Sequence, residues 1–130
     1  WLGGHDVQLD ISANPPDRCR IIRNICYEMI PRQSLPSVII EELIAGKITA
    51  VMSLSARTLD AFVQLLHKHD IWHHHQNITI LSISDKAGML SNDICGDLQW
   101  REHLVAETPD KTGIIALARY WHQLSVAREK

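Results

Sequence analysis

The chain has 130 residues, the size of one ordinary domain, and is 45% hydrophobic and 22% charged, which excludes a disordered polymer. Thirteen Lys and Arg against fifteen Asp and Glu give a net charge of −2, which argues against a general nucleic-acid binder with its basic face. Three cysteines, Cys19, Cys26 and Cys95, form no CxxC pair and are odd in number. They point to a reducing, cytoplasmic setting rather than a disulfide framework, and Asn77-Ile78-Thr79 is then an accidental sequon.

In chain order, Trp1-Leu2-Gly3-Gly4 reads as a strand end entering a glycine turn, and Asp6 to Ser12 as a short helix. Asn14-Pro15-Pro16-Asp17 breaks regular structure. Cys19 to Met29 is expected to be a strand, with Cys26 in its core face, and Pro31 to Pro36 a linker. A helix is predicted from Pro36 to Gly46, capped by Ser34 or Ser37, with Val38, Ile39, Leu43 and Ile44 inward. Ile48 to Met52 is a short apolar strand, followed by a helix from Ala56 to about His69 that Ser55 can cap. Its Leu59, Phe62, Val63 and Leu66 recur at helical spacing.

Ile78 to Ile83 is the next strand. Ser84 or Asp85 opens a helix to about Cys95, ended by Gly96. Leu104-Val105-Ala106 is a brief strand, and Thr108-Pro109 caps a last helix to about Ser125 with Ile114, Leu117, Ala118 and Trp121 inward. Short, continuously apolar strands alternating with helices predict an α/β fold: a parallel sheet flanked by helices. No apolar run approaches the ~20 residues of a membrane helix, so no membrane association is expected.

In such a sheet ligands bind at the carboxyl ends of the strands. Two of those ends are polar and open a helix: Ser53-Leu54-Ser55-Ala56-Arg57-Thr58 and Ser84-Asp85-Lys86. Unsatisfied N–H groups and the positive end of the helix dipole can receive a carboxylate there, or Ser55 and Asp85 simply cap their helices. His73-His74-His75, near His67 and His69, reads as a solvated loop, because consecutive histidines point apart and no further ligand sits at a metal-site spacing. His5, His103 and His122 are expected at the surface, and Glu41-Glu42 on a wet helix face. No GxGxxG, P-loop or Gly-x-Ser-x-Gly occurs.

The order of these segments resembles the C-terminal half of the uroporphyrinogen-III synthase family. Val51-Met52-Ser53-Leu54-Ser55-Ala56 resembles the family's serine-rich turn, with Leu54 where proline is usual. Ile83-Ser84-Asp85-Lys86-Ala87-Gly88 stands where the family has Ile-Gly-Pro-x-Thr-Ala and keeps the Ile. Ala106-Glu107-Thr108-Pro109 before a helix resembles its closing signature. Ile25-Cys26-Tyr27-Glu28-Met29 resembles the strand-end tyrosine before the crossover, and Trp1 to Gly4 the strand-plus-glycine turn of the middle domain, as in alphaproteobacterial members.

The resemblance implies a lyase that closes hydroxymethylbilane to uroporphyrinogen III, inverting the last ring, without cofactor or metal. It gives Tyr27 the catalytic role of assisting loss of the substrate hydroxyl, against a plain strand aromatic. It gives Gly3, Gly4, Ser53, Ser55, Ala56, Arg57, Ser84 and Lys86 to substrate carboxylates. It divides the chain into 1–30, the tail of the middle domain; 31–36, a crossover linker; and 37–130, a returning flavodoxin-like domain without its first strand and helix. The abrupt start at Trp1 fits a fragment or processed product. Such a chain is expected to be inactive alone and to offer a sheet edge for self-association. The alternative is a shortened, non-catalytic homologue that binds a tetrapyrrole or a protein partner.

Overall fold

The structure is a computed structural model that describes residues 2–4, 13, 15–89 and 99–128. The predicted helix at Asp6 to Ser12 and the helix end at Cys95 and Gly96 lie outside the described residues. The chain forms two units, Trp1–Pro31 and Arg32–Lys130.

In the first unit, β1 (Leu2–Gly4) pairs in parallel with β2 (Asn24–Tyr27). Leu2 aligns with Asn24, Gly3 with Ile25 and Gly4 with Tyr27, so the register slips by one residue between the two glycines. The predicted Cys19–Met29 strand is therefore shorter at both ends. Its start is spent on a turn: Arg18 takes a left-handed φ of 62° and the Cys19 N–H donates to Pro16 O at 3.0 Å. Cys26 is exposed rather than core, its thiol donating weakly to Asn24 O at 3.6 Å.

The second unit is an α/β layer structure, as the alternation predicts. Its elements are α1 (Ser37–Ile44), β3 (Ala50–Ser53), α2 (Ala56–Lys68), a 3-10 turn (Trp72–Asn77), β4 (Thr79–Ser82), a second 3-10 turn (Lys86–Gly88), β5 (Glu102–Val105) and α3 (Lys111–Arg128). The strands lie in the order β3-β4-β5, all parallel, with Val51, Ile80 and His103 abreast and Ser53, Ser82 and Val105 abreast. Side chains alternate between sheet faces. Ile80 packs with Leu43 of α1 and Leu59 and Leu66 of α2, which defines one face. Glu102 projects from the opposite face and meets Arg128, so α3 covers that side. All four residues of β4 are buried, as a strand covered on both faces must be.

Several sequence expectations change in detail. The linker does not hang free: Leu35 packs on the core, its N–H donates to His69 Nε2 at 3.1 Å, and Lys68 Nζ donates to Gln33 O. Neither Ser34 nor Ser37 caps α1, because Pro36 holds the cap position without a side-chain bond. The inward face of α1 is Ile39, Ile40 and Leu43, and Val38 and Ile44 are 55% and 53% exposed. Gly46 ends α1 as predicted, at φ +69°, with Lys47 N bonded to Glu42 O and Gly46 N to Leu43 O. This is the Schellman pattern, in which glycine meets no Cβ penalty. The triple histidine is a 3-10 turn, not a loop, and His75 is buried at 2% exposure. Trp72 stacks between His67 and His75, and Trp100 meets His75 edge-on. These ring contacts supply the apolar surroundings that the polar tripeptide pattern conceals.

Candidate functional site at the strand ends

The carboxyl ends of β3 and β4 are neighbours, and the predicted turns follow them directly. Ser55 caps α2 as expected: its Oγ accepts from Thr58 N at 3.2 Å and lies 2.8 Å from Thr58 Oγ1. Ala56 and Arg57 form the first turn of α2, where backbone N–H groups lack intrahelical acceptors. Arg57 is exposed, and so is Lys86 in the adjoining turn.

Ser53 is placed differently from a hydroxyl that greets a ligand. It is 1% exposed, donates to Ala87 O, and lies 3.2 Å from Ser55 O. Ser84 also turns inward, its Oγ accepting from Ala87 N at 3.3 Å. Asp85 makes no side-chain cap. The two serines thus fasten one residue, Ala87, by its N–H and by its C=O. That clasp seats the Lys86–Gly88 turn over the strand ends. What the two turns leave outward is amide N–H, Arg57 and Lys86.

Removing the clasp gives a local prediction. Ser53→Ala is expected to cost about 1–3 kcal/mol, because the buried Ala87 carbonyl loses its donor. A urea midpoint equal to wild type would show that the clasp carries no energy.

A second polar pair was not legible in the sequence. Ser82, at 0% exposure, places Oγ 2.7 Å from His103 Nε2, and 3.4 Å from Leu104 O. Gly88 sits so close to that imidazole that an added Cβ would overlap Nε2. His103 is at the surface, as expected, yet its ring props the same Lys86–Gly88 turn. Ser82 is too deeply enclosed to reach a substrate, so the pair is a support and not a nucleophile with its base. A period-two reading could have placed Ser82 on the Ile80 face, but the His103 partner depends on strand register.

The third strand end carries Thr108-Pro109 and opens an exposed cleft of about 480 Å³ beside Val105, Thr108, Leu117 and Tyr120. The helix starts later than the threonine-proline pair predicts. Asp110 is the cap: its Oδ1 accepts from Gly113 N at 2.7 Å and from Thr108 Oγ1 at 3.2 Å.

Tyr27, Gly3 and Gly4 belong to the first unit, where Gly4 and Tyr27 end the two paired strands abreast. Ser53, Ser55, Ala56, Arg57, Ser84 and Lys86 come together in the second. Among the described residues no three His, Cys, Asp or Glu side chains converge on a metal position, and no helix is long and apolar enough to cross a membrane. No protein-family model matches the chain, and no match is found among curated proteins or solved structures.

Proposed function

We propose that the carboxyl end of the second unit's sheet holds acid groups of a tetrapyrrole, and that the chain is part of a uroporphyrinogen-III synthase. The observation that carries the reading is the pair of polar turns at Ser53–Arg57 and Ser84–Lys86, held side by side by the Ser53 bond to Ala87 O. Carboxylates would meet the Ala56 and Arg57 amides at the positive end of α2, with Arg57 and Lys86 adding charge. The serine hydroxyls work from behind, by fixing the turns. In ring closure the substrate's terminal hydroxyl leaves as water, and the Tyr27 phenol supplies a hydrogen bond or proton to that oxygen. The sheet's outer strands, β3 and β5, are its edges for self-association.

The inward Ser53 also favours a second reading, a binder without turnover, because a hydroxyl that the resemblance gives to substrate is already donated to Ala87 O. Titration separates these cases. The 130-residue chain is expected to bind uroporphyrin, an octacarboxylate, by fluorescence. Arg57→Ala and Lys86→Ala should each weaken binding about fivefold, as exposed charges worth roughly 1 kcal/mol do. Incubation of a full-length parent that contains this chain with hydroxymethylbilane, and separation of the ring isomers, then distinguishes synthase from binder. Absence of binding, or variants that bind like wild type, would remove the strand-end site.

A further inference from the structure

The amino ends of the same strands carry a different set of groups. Thr49 precedes β3, Thr79 begins β4, and Arg101 immediately precedes β5. They border a cavity of about 120 Å³ that Trp121, Ser125 and Arg128 of α3 close from the other side. Two guanidinium residues therefore line one small space, and among the described residues no carboxylate does. Glu102 lies just behind and takes one of the five N–H groups of Arg128, Nη1 to Oε2 at 3.3 Å. The last turn of α3 adds roughly half a negative charge. Two cations against that sum still leave the lining positive.

The uncharged groups suit the same ligand. Thr79 is 2% exposed and shows its side chain to the cavity, so its hydroxyl is available at the floor only to something inside. Its backbone is fixed by the bond from Thr79 N to Thr49 O at 2.9 Å. Ser125 donates its proton to His122 O at 2.8 Å and offers the cavity no donor. The donor-bearing lining residues are thus Arg101, Arg128, Thr49, Thr79 and Trp121. From these we infer that the cavity is a binding site for one small tetrahedral oxyanion of the phosphate or sulfate class. Guanidinium forks match paired oxygens of such an anion, which a point-charge ammonium does not. The space is too small for a tetrapyrrole, and it lies at the opposite end of the sheet from the carboxylate turns, so this site stands or falls independently of the synthase reading.

The test is thermal unfolding of the full chain in rising inorganic phosphate, at constant ionic strength set with chloride to hold screening fixed. A ligand that binds only the folded state raises the Tm by mass action. A saturable rise of a few degrees is expected. Arg101 is exposed, so Arg101→Ala should fold and lose the rise, and Arg101→Lys should keep only part of it. Arg57→Ala should keep it in full. An arm with glycerol 3-phosphate tells a free anion, which this volume favours, from an ester's phosphoryl group. No rise with either probe, a rise unchanged in Arg101→Ala, or one lost in Arg57→Ala would overturn the assignment.

Discussion

Replacing Gly113 by alanine is expected to destabilise the second unit by about 2–3 kcal/mol, despite gaining roughly 1 kcal/mol of helix propensity. Gly113 is the third residue of α3 and is buried. A Cβ there would overlap the Thr108 carbonyl oxygen, with the Thr108 hydroxyl at 2.6 Å and its carbonyl carbon at 3.0 Å. These are mostly backbone atoms of a turn, and the following Pro109 has its φ fixed by its ring, so the turn has little room to retreat. Retreat would also pull Gly113 N from Asp110 Oδ1, now at 2.7 Å, and so uncap the helix. The thermal midpoint should fall by roughly 10 °C for a unit of this size. A variant as stable as wild type would show that the turn does not press on the helix.

The same contact explains why the start of α3 was misplaced by the sequence. Thr108-Pro109 and Asp110 are both good start signals, two residues apart. Which one caps is decided by how closely the turn approaches Gly113, and that is a packing fact. Where local signals agree, reading was accurate. Ser55 before an apolar 3.6-residue period gave α2 with its cap and its inward Leu59, Val63 and Leu66. The strand expected from Ile78 to Ile83 is a central strand, β4, buried along its whole length.

The candidate site was legible in its place more than in its chemistry. A serine at a strand end can face out to a ligand or back into the fold, and residue type does not say which. Period two does: Ser53 follows Val51 on the face that packs against α2, so its hydroxyl had to find a partner indoors. The partner, Ala87 O, lies 34 residues away and no local pattern names it. His75, expected in a solvated loop, is buried for a similar reason, and the surface His103 has a partner that no local pattern names. Their partners, Trp100 and Ser82, are brought to them by sheet register and turn packing.

Tyr27→Phe is the substitution expected to cost most in rate. On the synthase reading, the phenol assists departure of a hydroxyl, a poor leaving group that needs a proton or a strong hydrogen bond. Phenylalanine keeps the ring and removes only that group. Positioned proton donors contribute about 10²-fold or more, so ring closure should slow by that order while binding of uroporphyrin stays near wild type. Backbone pairing supports the choice of residue. The slip between Gly3 and Gly4 brings Gly4 level with Tyr27, and both end their strands. Both residues lie at the carboxyl end of a parallel pair, the end where ligands of open α/β sheets bind. The comparison requires an assay in which the wild-type chain, within an active synthase, closes hydroxymethylbilane. An unchanged rate of type-III product in the Phe variant would take the phenol out of the chemistry. A parallel loss of uroporphyrin binding would instead make Tyr27 a substrate contact. Only a drop in rate at preserved affinity fits a group that acts on the departing oxygen.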